Sequence, residues 1–120
     1  MTISEAINQV DALRPNTYTS RQKTQWLRRC EAMILKTVLR TKQNLGDFDI
    51  MAEDPAMDTP LIVPEPWCVL YVHWLEAQMH YANGEYDRYN NAITMFNDNL
   101  NGYRGEIARS TPSEGARFRF

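Results

Sequence analysis

Helix-breaking residues are concentrated between positions 44 and 66, and this cluster divides the chain into two helical halves. One glycine and four prolines fall there among six acidic side chains. Because a proline inside a helix removes a hydrogen bond and clashes with the preceding turn, we expect an irregular connector at 44–66, with at most a short extended segment at Leu61–Val63. Connectors of more than about 20 residues are uncommon in compact domains and are often functional. The breakers are Gly46, Pro55, Pro60, Pro64 and Pro66.

Two capping boxes predict the helices that precede this connector. In a capping box a Thr side chain accepts the N–H of the residue three positions on, whose Glu or Gln side chain bonds back. The first box starts a short helix that ends before Pro15, because proline disfavours the helical conformation in the residue before it. The second starts a longer helix at about 20–41. The two boxes pair Thr2 with Glu5 and Thr19 with Gln22.

Two further helices are predicted after the connector. Pro66 suits the first turn of a third helix over 67–83, which is apolar on two adjoining stripes and should be buried on more than one side. Gly84 fits its C-terminus, and a fourth helix follows over about 86–107 as the second arm of an antiparallel hairpin. Gly102 and Gly105 should weaken the end of that helix. The predicted hairpin core contains Trp74, Tyr81, Tyr86, Tyr89, Ile93 and Phe96.

The predicted fold class is therefore all-α, with one four-helix domain at residues 1–109 and a flexible tail at 110–120. A chain of 120 residues with 43% hydrophobic residues is long enough for one modest core. The sequence begins with no basic and apolar leader, and no apolar run approaches a membrane span. Two cysteines make no disulfide framework, so we expect both as reduced core thiols in a cytoplasmic compartment.

The small net charge of −2 conceals two segments of opposite sign. Residues 14–42 carry eight basic side chains and one acid, Glu31, whereas residues 43–65 carry six acids and no base. One interpretation is compensation within the chain and solvated helix faces. The other is a subunit whose basic face meets the acidic face of a neighbour. The candidate subunit-interface residues are Arg21, Arg28, Arg29, Arg40, Asp47, Asp49, Glu53 and Asp54.

Residues capable of metal or nucleophilic chemistry form no convincing motif. His73, Glu76 and His80 share a face of the third helix, but they do not form His-Glu-x-x-His and lack a further ligand, so a solvated or ion-paired face is expected. Cys30 and Cys68 fall on apolar helical stripes and are expected to fill the core. The connector lacks the spacing of a calcium loop. We therefore expect no catalytic residue, no metal and no cofactor.

A nucleic-acid-binding or regulatory module that uses the basic second helix is the alternative. The helix carries abundant positive charge, and Trp26 could provide a stacking surface. Against this, the spacing of the basic residues places them around the helix, and Trp26 neighbours the apolar stripe. The tail ends in alternating basic and aromatic residues, a pattern suited to docking on a partner. These candidate docking residues are Arg117, Phe118, Arg119 and Phe120.

Several segments resemble small head–tail connector proteins, the head-completion adaptors of long-tailed bacteriophages. The resemblance covers roughly residues 1–103 and is most specific in the hairpin between the third and fourth helices. The segments that carry it are Ile7–Asn16, Tyr18, Lys23–Leu27, Leu61–Pro66, Trp74–Gln78, Tyr81–Tyr86 and Arg88–Asn91.

This resemblance implies a helical adaptor whose copies form a ring of about twelve subunits beneath the portal protein. Such a ring extends the DNA channel, lets DNA pass without specific binding, and presents a surface to the next head-completion, stopper or tail protein. The tail becomes a candidate clamp on the portal. The family brings no cofactor and no catalytic residue, and its members lie at the head–tail junction of the virion after assembly in the host cytoplasm.

Overall fold

The computed structural model describes residues 1–39 and 49–110, and its architecture is the predicted four-helix, all-α fold. Short 3-10 turns occur at Asp49–Met51 and Trp67–Val69, and these described residues contain no β-strand. Part of the predicted connector and nearly all of the predicted tail lie outside the described residues. The helices are α1 (Ile3–Leu13), α2 (Ser20–Thr37), α3 (Leu70–Ala82) and α4 (Tyr86–Ser110).

Both capping boxes are confirmed at the starts of α1 and α2. Thr2 accepts the N–H of Glu5 at 3.2 Å, and the Glu5 carboxylate accepts the N–H of Thr2 at 2.8 Å. Hydrogen bonds from the backbone and the side chain of Thr2 to the carboxylate lower the pKa of Glu5. Thr19 and Gln22 form the equivalent pair at α2. The sequence thus placed both helix starts correctly, because capping depends on residues only three positions apart.

The boundaries of α2 and α3 differ from the prediction by a few residues. α2 ends at Thr37 instead of about 41, because the N–H groups of Val38 and Leu39 both bond to the carbonyl of Ile34 and the helical register stops there. α3 starts at Leu70 instead of Trp67, because the preceding turn is wound as a tighter 3-10 helix.

The tight hairpin between α3 and α4 is confirmed. Gly84 adopts φ 77°, a left-handed conformation that suits glycine, and the N–H of Glu85 bonds to the carbonyl of His80 at 2.8 Å. α3 is the central element, because it packs against α1, α2 and α4. Its double apolar stripe is accordingly buried on several sides, as predicted. The largest fully buried side chains of α3 are Leu70, Tyr71, Leu75 and Met79.

The predicted hairpin core is only partly correct. Phe96 is buried, whereas Trp74, Tyr89 and Ile93 are half-buried. Tyr81 and Tyr86 are each 59% exposed, so their assignment to the core is wrong. They lie in the last turn of α3 and the first turn of α4, where the ring of Tyr81 packs on those of Tyr86 and Tyr89.

The described part of the connector packs on the N-terminus of α1. The carbonyls of Met57 and Thr59 accept the N–H groups of Ser4 and Ile3 at 2.9 and 3.1 Å, and Leu61 donates its N–H to the carbonyl of Met1 at 2.8 Å. The connector therefore satisfies amides that a helix start leaves free. Its 49–66 portion is irregular, as predicted.

Gly102 should tolerate no side chain, although α4 passes through it without a break. A Cβ there would lie under 3.0 Å from three ring carbons of Trp67. We expect Gly102→Ala to lower the free energy of unfolding by about 1–3 kcal/mol, because overpacking outweighs the better helix propensity of alanine. Urea unfolding measures this change.

Gly105→Ala is the matched control for this prediction. The nearest atom to its new Cβ would be Nη1 of Arg109 at 3.3 Å, the end of a flexible side chain. The free energy of unfolding of this variant should rise by up to about 1 kcal/mol, because alanine has the better helix propensity. In a Trp67→Leu background, Gly102→Ala should lower the free energy of unfolding by less than it does in the wild type. An equal loss in both backgrounds would contradict the proposed clash.

Candidate subunit interface

Four of the five basic residues of α2 are gathered on one face of the helix. Arg21, Arg29 and Lys36 are exposed and Arg28 is half-buried, and at about 100° per residue all four fall within an arc of about 100°. Among the described residues of α2, the expectation that the basic residues surround the helix is therefore wrong for these four. We call these four residues the basic face. Arg40, another predicted interface residue, lies outside the described residues.

Lys23 is the basic residue of α2 that points away from this face. It is buried at 3% exposure, and its Nζ lies 2.6 Å from Oδ1 of Asp11 on α1. Asp11 also accepts a hydrogen bond from Asn16 at 2.9 Å. The pKa of Asp11 is lowered, because these bonds and the Lys23 charge outweigh a desolvation effect of opposite sign. Lys23 is thus compensated within the chain, as the first interpretation proposed, and so is Arg14, which pairs with Glu76.

The acidic residues of the connector are also exposed. The acidic segment, as we call it, comprises Asp49, Glu53, Asp54 and Asp58, all on the surface. Across residues 1–39 and 49–110, no ion pair joins any member of the basic face or the acidic segment to another residue. Asp47 lies outside that part of the chain.

Hydrogen bonds hold the acidic segment beside the basic face. Arg28 donates from Nη2 to the carbonyl of Met51 at 3.0 Å and from Nη1 to the side chain of Gln25 at 2.6 Å. Gln25 donates in turn to the carbonyl of Glu53 at 3.4 Å. Arg28 therefore positions the connector through backbone carbonyls, while neighbouring carboxylates stay free. The two sets of opposite charge form one bipolar surface.

A buried carboxylate on α2 anchors the other end of the connector. Glu31 is fully buried, and its two oxygens accept the N–H of Ile62 at 2.8 Å and the hydroxyl of Tyr71 at 2.5 Å. The hydroxyl of Tyr71 accepts the N–H of Val63 at 2.9 Å. We call these four residues the Glu31 network. It joins α2, α3 and the connector through hydrogen bonds between residues far apart in sequence.

Opposing influences act on the acidity of the Glu31 network. Burial raises the pKa of Glu31 to about 7, although the hydrogen bonds from Tyr71 and Ile62 pull it down. Burial, followed by the nearby Glu31 charge, raises the pKa of Tyr71. Glu31 was missed as a structural residue because it was counted only as the single acid among basic residues. Glu31 lies between Leu27 and Ile34 on the apolar stripe of α2, and this position in the sequence indicates that its side chain is buried.

His73, Glu76 and His80 lie on a polar helix face, on which Glu76 forms an ion pair with Arg14. They line a polar cleft of about 450 Å³ together with Arg14 of α1 and residues of α4. Glu76 lies 3.1 Å from Nε of Arg14 and 3.3 Å from Nδ1 of His73, and His80 lies 2.9 Å from Glu85. The described chain contains no group of three or more His, Cys, Asp or Glu side chains that could hold a metal ion.

Both cysteines lie in the core, as predicted from the apolar stripes. Cys30 and Cys68 are buried free thiols. Desolvation raises the pKa of both, and the neighbouring carboxylates Glu31 and Glu65 add to the effect. Because the thiolate is the nucleophilic form, both side chains are held in the less reactive state.

Comparison of the chain with models of protein families, with curated proteins and with solved structures found no match. Among the described helices, none is both long and apolar enough to cross a membrane.

Proposed function

We propose that this protein is a structural adaptor of a tailed-phage head–tail connector. Its copies form a ring of about twelve subunits beneath the portal protein, extend the DNA channel, and present a surface to the next head-completion, stopper or tail protein. In this proposal the protein lies at the head–tail junction of the virion. The segments that resemble head-completion adaptors support it, and so does a small all-helical domain.

The observation that carries the proposal is the bipolar surface. Arg21 and Arg29 are exposed cations without an ion-pair partner in the described chain, and Glu53 and Asp54 are exposed anions in the same condition. Exposed charges of opposite sign steer association and fix the register between subunits more than they add affinity. A neighbouring copy offers complementary groups for both sets.

The test is the native mass of the protein, measured by sedimentation over a range of concentrations, with and without a cognate portal protein. We expect a closed ring near twelve copies, alone or on the portal. Arg21→Glu combined with Arg29→Glu should weaken assembly by roughly tenfold or more, because like charges would then face each other.

Two comparisons make this test specific. Adding Glu53→Arg and Asp54→Arg to the same chain should restore assembly. The signs of both sets of charges are then exchanged, so opposite charges again face each other between neighbouring copies. Arg104→Glu, which changes an exposed charge on α4, should leave assembly unchanged. A chain that stays monomeric and also ignores the portal contradicts the adaptor proposal.

The gathering of the basic face favours a second candidate, a nucleic-acid-binding module. Four basic residues within one arc can contact successive phosphates. Trp26 contributes little stacking surface, because it is half-buried, packs on Tyr18 with ring centroids 5.3 Å apart, and accepts a hydrogen bond from Trp74 at its carbonyl. Binding to DNA that weakens steeply with added salt and is lost in the Arg21/Arg29 variant would support this candidate.

A further inference from the structure

Three tyrosines form an exposed aromatic surface at the turn of the α3–α4 hairpin. Tyr81 and Tyr86 are each 59% exposed, Tyr89 is half-buried, and the ring of Tyr81 lies 5.6 Å from that of Tyr86 and 5.4 Å from that of Tyr89. We call these residues the tyrosine patch. Because tyrosine combines a large apolar ring with few rotatable bonds, it is enriched at protein interfaces.

Residues outside the described chain have the composition to complement this patch. Arg117–Phe120 alternates two guanidinium groups with two phenyl rings. A guanidinium group binds well over the face of a tyrosine ring, and phenyl rings pack against tyrosines edge-on or offset. Asp87, exposed in the same first turn of α4 as Tyr86, adds a carboxylate beside the patch.

The length of α4 keeps most of Arg117–Phe120 away from the patch of the same chain. Tyr86 lies 24 residues before Ser110 on a continuous helix, a distance of about 36 Å at 1.5 Å per residue. Arg117 is seven residues beyond Ser110 and can reach at most about 24 Å when fully extended. Only the last residues of a completely stretched tail would approach the near edge of the patch.

We propose that the tyrosine patch of one copy binds Arg117–Phe120 of a neighbouring copy. This inference deepens the proposed function, on which it rests, by naming a contact that links adjacent subunits. Each copy donates one segment and receives another, so the contact is heterologous and generates a ring or an open filament. The bipolar surface can then fix the register of the subunits that this contact joins.

Complementation between two full-length variants tests the direction of the contact. The receptor variant loses the patch through Tyr81→Ser and Tyr86→Ser but keeps Arg117–Phe120. The donor variant keeps the patch but carries serine at all four positions of Arg117–Phe120. Each variant alone should lose self-association by roughly tenfold or more. In an equimolar mixture, Arg117–Phe120 of the receptor variant can still bind the tyrosine patch of the donor variant. No other such contact is possible, so the mixture should form a dimer that does not grow further. Sedimentation velocity measures all three samples.

The Phe variant provides the matched control. Tyr81→Phe with Tyr86→Phe retains the aromatic faces and should assemble as the wild type does. Unchanged thermal unfolding of both serine variants is expected, because every substituted residue is exposed or outside the described core. The thermal-unfolding measurement therefore distinguishes the loss of the contact from the loss of the fold.

Several results would overturn the inference. A donor variant that assembles as well as the wild type, a mixture that forms no dimer, or a wild type that stays monomeric at millimolar concentration would each do so. Portal binding is measured separately. A donor variant that loses portal binding but keeps self-association would show that Arg117–Phe120 binds the portal instead. If rings form without the contact between the patch and Arg117–Phe120, this inference fails but the adaptor proposal stands.

Discussion

Replacement of Glu31 by Ala should lower the free energy of unfolding by about 3–5 kcal/mol at pH 5. The change removes the acceptor of the Ile62 N–H and of the Tyr71 hydroxyl, both in the Glu31 network. Each buried polar group left without a partner costs about 1–3 kcal/mol, and the vacated side-chain volume adds a cavity cost. Urea unfolding followed by far-UV circular dichroism gives the change directly.

Glu53→Ala is the matched control, since it removes an exposed carboxylate from the acidic segment. We expect it to change stability by less than about 0.5 kcal/mol. Glu31→Ala should also loosen the connector before the helices, so amide exchange at Ile62 and Val63 should accelerate more than exchange at Leu75. A loss below 1 kcal/mol, or uniform exchange throughout, would show that the network does not hold the connector.

The sequence was most informative where structure depends on nearest neighbours. Thr2 with Glu5 and Thr19 with Gln22 identified two helix starts, because a capping box is complete within four residues. Gly84 identified the hairpin turn, because its φ of 77° is costly for other residues. The class, the number of helices and their order followed from such local information and from apolar periodicity.

Periodicity could not show which apolar positions another element covers. Tyr81 and Tyr86 continue the seam of the hairpin, yet both side chains are 59% exposed. The sequence pattern likewise did not predict that Glu31 and Lys23 are buried. Their burial depends on Tyr71 and Asp11, partners distant in sequence, and the total charge of a segment carries no information about such pairs.

Stability and the proposed interface are physically coupled in this fold. The connector carries the acidic segment, and it is attached on one side by Arg28 and on the other by Glu31. Both attachments use side chains of α2, the helix that also bears the basic face. The helix therefore sets the position of both charges of the bipolar surface, and a change in the Glu31 network should alter the geometry that an adjoining subunit meets.

The stability of the wild type should fall as pH rises from about 4.5 to about 7, by up to about 3 kcal/mol from Glu31 alone. Burial raises the pKa of Glu31 from 4.5 to about 7. In that interval the folded state holds a proton that the unfolded state has released, so the contribution of Glu31 is fully present below pH 4.5 and is lost as pH approaches 7. Above pH 7 this dependence should level off.

Glu31→Gln isolates this titration from the others in the chain. Asp11, Glu5 and Glu85 have lowered pKa values, so their contributions have the opposite sign and are lost only below about pH 4.5. They are common to both proteins and cancel in the difference. The stability of the wild type minus that of Glu31→Gln, from urea unfolding at pH 5 and pH 7.5, should therefore be larger at pH 5. Parallel curves for the two proteins between these values would mean that Glu31 does not take up a proton on folding, and that the buried carboxylate is held ionised by the Tyr71 and Ile62 hydrogen bonds.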